Sequence, residues 1–81
     1  MNKRTKRFDR ILGLEQKYYT FADVRNFLGY YGFEAERKSS SHFVFRREET
    51  THIVIVVHHN LVKRIYVKDA IRNLKNYSIL P

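Results

Sequence analysis

Ser39-Ser40-Ser41 runs directly into His42, and His42 opens the apolar stretch Phe43-Val44-Phe45. Histidine changes charge near neutral pH, so it can take or give a proton under ordinary conditions. The serine turn supplies hydroxyls and backbone N–H groups beside it. Arg37, Lys38 and Arg46 lie a few residues away and can neutralise a phosphate. Cleavage of RNA without a metal needs these parts. A base takes the 2′-hydroxyl proton, positive charge steadies the phosphate, and an acid protonates the leaving oxygen. His42 is therefore the candidate catalytic residue, with Arg37, Lys38, Ser40, Ser41 and Arg46 as candidate RNA contacts. The plainer reading is a strand-edge histidine satisfied by a neighbouring serine.

His58-His59 is a second proton-transferring or phosphate-contacting candidate. A tight hairpin about Glu49-Thr50 places Ser41 opposite His58 and His42 opposite Val57, and a one-residue bulge shifts that pairing. Adjacent strand residues point to opposite faces, so His58 and His59 do not chelate one metal. The chain has no cysteine and no carboxylate cluster, so no metal or other cofactor is expected. His52 sits at the far end of its strand and has no assigned role. A serine hydrolase is disfavoured, because no Gly-x-Ser-x-Gly elbow is present.

The elements that must position these residues follow from periodicity. Met1 to Arg7 is a basic arm without apolar repeat. Phe8 to Lys17 reads as a short helix or irregular segment docked by Phe8, Ile11 and Leu12. Thr20-Phe21-Ala22-Asp23 is a capping signal for a helix over 21–31. Phe21, Val24, Leu28 and Tyr31 give that helix its buried face, and Gly32 stops it. Strands follow over 33–38, 42–47 and 52–58, with Ile53 to Val57 wholly β-branched. Short loops make them an antiparallel meander. Phe43 and Phe45 are read as core, with base stacking as the alternative. Leu61 to Tyr66 is a connection, and Val67, Ala70, Ile71 and Leu74 mark a last helix over 67–76. The fold class is α+β, with both helices on one face of the sheet.

Composition bounds the partner. The 81 residues allow one domain, and sixteen Lys and Arg against eight Asp and Glu leave a formal charge of +8. That excess, with six Tyr and six Phe, favours a polyanion such as RNA. A basic protein-interaction module with an acidic partner fits the same charge. No apolar run is long enough to cross a bilayer, and the N-terminus lacks the apolar stretch of a signal peptide, so a cytoplasmic protein without membrane contact is expected.

The helix end Asp23-Val24-Arg25-Asn26-Phe27-Leu28-Gly29-Tyr30-Tyr31-Gly32-Phe33, the segment Arg37 to Arg46 centred on Ser41-His42, the strand and exit Ile53 to Asn60 and the helix Val67 to Asn76 together resemble the HicA (YcfA-like) family. The resemblance spans about residues 20–77, leaving 1–19 as an N-terminal extension. It implies a small double-stranded-RNA-binding-like domain of order α-β-β-β-α. It also implies an mRNA interferase toxin of a type II toxin–antitoxin pair, acting on mRNA and masked by a HicB-like antitoxin, with His42 at the position of the catalytic histidine. Ser40 stands where the family usually has glycine, and Val57 about where it often has proline. A non-catalytic RNA-binding domain of the same fold is the alternative.

Overall fold

The computed structural model describes residues 6–48 and 52–80. Its elements, in order, are α1 (Lys6–Gly13), β1 (Tyr18–Thr20), α2 (Phe21–Tyr30), β2 (Glu34–Arg37), β3 (His42–Arg46), β4 (Ile53–Val56), β5 (Leu61–Lys63) and α3 (Arg64–Asn76). It is a small α+β fold with three helices and two antiparallel sheets. Among the described residues, no helix is long and apolar enough to cross a membrane. The basic arm expected over 1–7 lies outside the described residues except for Lys6 and Arg7, which open α1. The turn after Glu48 likewise lies outside them.

α2 starts and stops where its sequence dictates. Thr20 is extended (φ −69°, ψ 146°), and its hydroxyl accepts the Asp23 N–H at 3.2 Å, satisfying one orphan donor of the first turn. At the other end Gly32 takes φ 90°, a left-handed conformation that costs glycine little. Gly32 N–H then reaches the Gly29 carbonyl (3.0 Å) and Phe33 N–H the Leu28 carbonyl (3.1 Å), the paired bonds of a Schellman stop. Phe33 is buried as a result and leads the chain into β2.

The larger sheet has the order β2-β3-β4. Arg37 opposes Phe43 and Ala35 opposes Phe45; Phe43 in turn opposes Ile55 and Phe45 opposes Ile53. The inner face is thus Phe43, Phe45, Ile53 and Ile55. It meets Val24, Phe27 and Leu28 of α2, and Val67, Ala70, Ile71 and Leu74 of α3, in one core. Phe21 stacks against Phe43 (ring centroids 4.4 Å) and stands edge-on to Phe45 (6.2 Å). These rings are core, so neither is placed to stack on a base. α1 adds Phe8 and Ile11 to the same core, with Leu12 packed against it.

Three details differ from the sequence reading. The expected hairpin register is displaced by one residue: His42 faces Val56, and the Val57 N–H donates to the Ser41 carbonyl at 2.7 Å. The cause is packing. In the expected register Ile53 and Ile55 lie on the face opposite to Phe43 and Phe45, and a one-residue slip is what unites all four. Second, Leu61 to Tyr66 is not a connection. β5 pairs with β1, Tyr18 opposing Lys63 and Thr20 opposing Leu61, and α3 begins at Arg64. Third, β4 turns into β5 through His59-Asn60, closed by His58 N–H to Leu61 carbonyl (3.0 Å) and Leu61 N–H to His58 carbonyl (2.8 Å). Both turn residues have positive φ, 52° and 64°, as a type I′ turn requires. The Asn60 carbonyl accepts the Phe21 N–H at 2.8 Å and ties this turn to the start of α2.

Candidate functional site

β3 alternates, so the residues between its buried phenylalanines face away from the helices. That outer face carries His42, Val44 and Arg46, with Val54 and Val56 beside them on β4. His42 is exposed at the start of the strand. The turn before it is short and heavily bonded. Lys38 N–H donates to the His42 carbonyl at 2.8 Å, Ser39 N–H to the same oxygen at 3.3 Å, and Arg37 Nε to the Ser39 carbonyl at 3.1 Å.

Ser39 controls the imidazole. Its Oγ accepts the His42 backbone N–H at 3.2 Å and lies 2.9 Å from His42 Nδ1; Ser41 Oγ lies 3.3 Å from the same nitrogen. Among the described residues Nε2 has no hydrogen-bond partner. With Nδ1 protonated and donating to a serine, Nε2 presents a bare lone pair and acts as a base. With a serine hydroxyl donating to Nδ1, Nε2 carries the proton and acts as an acid. Either way the hydroxyls fix the ring so that Nε2 points away from the turn.

Ser40 is exposed and has no positive φ, which answers the question its place in the turn raises. No residue of the Ser39–Ser41 turn occupies the left-handed region, so this turn does not need a glycine for its backbone.

The basic residues are arranged less simply. Lys38 Nζ lies 3.2 Å from Glu36 Oε2, and Arg46 Nη2 lies 3.0 Å from Glu36 Oε1. The hydrogen bond from Lys38, then the charges of Arg46 and Lys38, hold the Glu36 carboxyl below the ordinary glutamate range. The structure thus brings Lys38 and Arg46 together on one side of the sheet with Glu36 between them, and Glu34, which opposes Arg46, adds a second carboxylate to the same face. Arg37 is placed differently. It opposes Phe43, and its Nε braces the serine turn from the rim.

His58 and His59 lie beyond Val56 and line a cleft of about 460 Å³ with Tyr18, Val56, Leu61 and Lys63. Since Val56 opposes His42, the cleft and the imidazole belong to the same end of the outer face. Among the described residues, no three His, Cys, Asp or Glu side chains gather to hold a metal ion.

Sequence reasoning did not single out Ser39, and it leaves Tyr18, with Tyr19, Tyr30 and Tyr31, open between sealing the core and binding a partner. Ser39 was legible in principle, because a serine three residues before a histidine can bridge back across a tight turn. Tyr18 carried no such signal, since its strand partner is Lys63. No family model, curated protein or solved structure matches the chain.

Proposed function

We propose that this chain is a metal-independent endoribonuclease of the HicA type, an mRNA-cleaving toxin acting in the cytoplasm and held in check by a HicB-like antitoxin. The observation that carries the reading is His42, clamped at Nδ1 by serine hydroxyls with Nε2 free on the exposed sheet face. With β5 set aside, which stands between β4 and α3, the succession α2, β2, β3, β4, α3 supports a double-stranded-RNA-binding-like domain, to which α1 and β1 are added at the front.

Nε2 of His42, in its base form, removes the 2′-hydroxyl proton. The 2′-oxygen attacks the adjacent phosphorus, the bond from phosphorus to the 5′-oxygen breaks, and a cyclic 2′,3′-phosphate forms. The departing 5′-oxygen takes a proton from His58, His59 or water. Lys38 and Arg46 offset charge on the phosphate, and Ser40, Ser41 and Arg37 shape the turn that receives it.

The test is cleavage of a single-stranded RNA in the presence of a chelator. Wild type cleaves, and His42→Ala loses about 10²–10⁴-fold in rate while keeping its fold, the usual size of a general acid–base contribution. Equal cleavage by both proteins removes His42 from the chemistry. The second reading, RNA binding without cleavage, is favoured by Glu36, which holds Lys38 and Arg46 of the outer face in ion pairs. It predicts salt-sensitive RNA binding by both proteins and no cleavage by either.

A further inference from the structure

The segment before Thr20 has no counterpart in the resemblance, yet it places a residue beside the candidate site. β1 pairs with β5 so that Tyr18 opposes Lys63. Tyr18 is 50% exposed, while its neighbour Tyr19 is buried at 3%. Tyr19 anchors the strand: its hydroxyl accepts the Gln16 N–H (3.0 Å) and donates to the Arg10 carbonyl (3.3 Å). Gln16 Nε2 donates to the Tyr18 carbonyl at 3.3 Å. Tyr18 is thus an exposed aromatic side chain on a backbone held by strand pairing and by Gln16.

The cleft it borders has a definite chemistry. Tyr18, Val56 and Leu61 give it apolar walls, and His58, His59 and Lys63 give it donors and positive charge; no acidic side chain lines it. A ligand suited to these walls has a flat apolar face and a nearby negative charge. A nucleotide has both. Bases within a duplex are already stacked on their neighbours, whereas a single strand offers free faces to aromatic side chains. Val56, one wall of the cleft, is the cross-strand neighbour of His42.

We propose that this cleft is a nucleotide subsite of the RNA-binding face. In it Tyr18 stacks on an unpaired base adjoining the phosphate presented to His42, and Lys63 contacts that nucleotide's own phosphate. The inference rests on the reading of the outer face as an RNA site and adds to it a subsite built by the N-terminal segment. It makes the chain a binder of single-stranded RNA, with an unpaired nucleotide seated beside the cut.

The test uses the full chain carrying His42→Ala, so that RNA is bound without being cut. The probe is a short fluorescein-labelled single-stranded RNA, alone or annealed to its complement, and binding is followed by anisotropy. Tyr18→Ala weakens single-strand binding about tenfold, in line with the loss of one stacked base, and leaves duplex binding unchanged. Tyr18→Phe, which keeps the ring, stays within about twofold of the parent on the same ground. Lys63→Gln weakens binding and flattens its salt dependence. A circular-dichroism melt confirms that each variant is folded.

Binding unaffected by Tyr18→Ala in a folded protein, equal losses for Tyr18→Ala and Tyr18→Phe, or no RNA binding by the parent would each overturn the subsite. So would a Tyr18 dependence seen only with a protein partner. The two readings fail separately. Tyr18-dependent binding without any cleavage by wild type keeps the subsite and removes the nuclease. His42-dependent cleavage whose KM ignores Tyr18→Ala does the reverse.

Discussion

The two faces of β3 and β4 are made from the same nine residues and behave oppositely. On the inner face Phe43, Phe45, Ile53 and Ile55 meet two helices, and the rings of Phe43 and Phe45 pack on Phe21. On the outer face His42, Val44, Arg46, Val54 and Val56 lie on the side away from the helical core, and His42 and Arg46 are held there by hydrogen bonds and an ion pair. Alternation by one residue therefore separates stability from chemistry. The inner set must be large, apolar and in register. The outer set is free to be chosen for what it does, because changing it leaves no cavity. His42 depends on this division: the strand that carries it is held in place by side chains on the opposite face.

The hardest test of the division is to truncate one residue on each face. Phe45 is 1% exposed, and Phe45→Ala is expected to cost about 3–5 kcal/mol. At about 0.05–0.15 kcal/mol per residue the whole domain has roughly 4–12 kcal/mol to lose, so this one change brings it close to unfolding. Val54, on the same strands but 49% exposed, is expected to tolerate alanine within about 0.5 kcal/mol. Urea unfolding of both variants gives the comparison directly. Similar losses at the two positions would mean that the outer face is covered in solution.

Much of the inner face was legible in the sequence, and little of the outer one. Thr20 and Gly32 mark the ends of α2 because capping and left-handed stops use few residue types. Val67, Ala70, Ile71 and Leu74 mark the buried side of α3 by spacing alone. The β3–β4 register was not readable from the turn, which contains no glycine to fix its type; the burial of Ile53 and Ile55 beside the phenylalanines decides it. β1 and β5 escaped because each has three residues, too few for a period, and their pairing joins Tyr18 to Lys63 across most of the chain. The candidate site divides in the same way. His42 and its serines are contiguous and could be read. The cleft depends on that distant pairing and could not.

A smaller effect tests how the outer face holds its histidine. Ser39→Ala removes the closer hydroxyl from Nδ1 and the acceptor for the His42 N–H, leaving Ser41 at 3.3 Å. If His42 catalyses, kcat is expected to fall about tenfold with KM little changed, because a positioned proton carrier is loosened while the phosphate contacts stay. Ser39→Thr keeps the hydroxyl and should recover most of the rate. Ring-nitrogen NMR supplies a readout independent of turnover: Ser39→Ala alters the balance between the Nδ1–H and Nε2–H forms of His42, and Ser39→Thr does not. An unchanged tautomer balance in Ser39→Ala would assign the clamp to Ser41.

The mildest change bears on the cations. Glu36 holds Lys38 and Arg46 in salt bridges on the exposed surface, where such pairs contribute little to stability. Its carboxyl titrates below the ordinary range, so whatever the pairs contribute is present above the unfolded-state pKa and is lost as pH falls through the lowered folded value. At neutral pH the carboxylate is charged and competes with any phosphate for both side chains. Glu36→Gln takes the formal charge from +8 to +9 (8 + 1) and removes the carboxylate that Lys38 and Arg46 share, with Glu34 still opposite Arg46. Its melting curve should barely move. Its affinity for single-stranded RNA should rise a few-fold at low salt, with a log–log salt slope steeper by about 0.7 for each cation released to a phosphate. An unchanged slope would place the RNA backbone elsewhere and leave Lys38 and Arg46 as supports of the β2 edge, a result that would narrow the working part of the outer face to His42, its serine clamp and the cleft beside Val56.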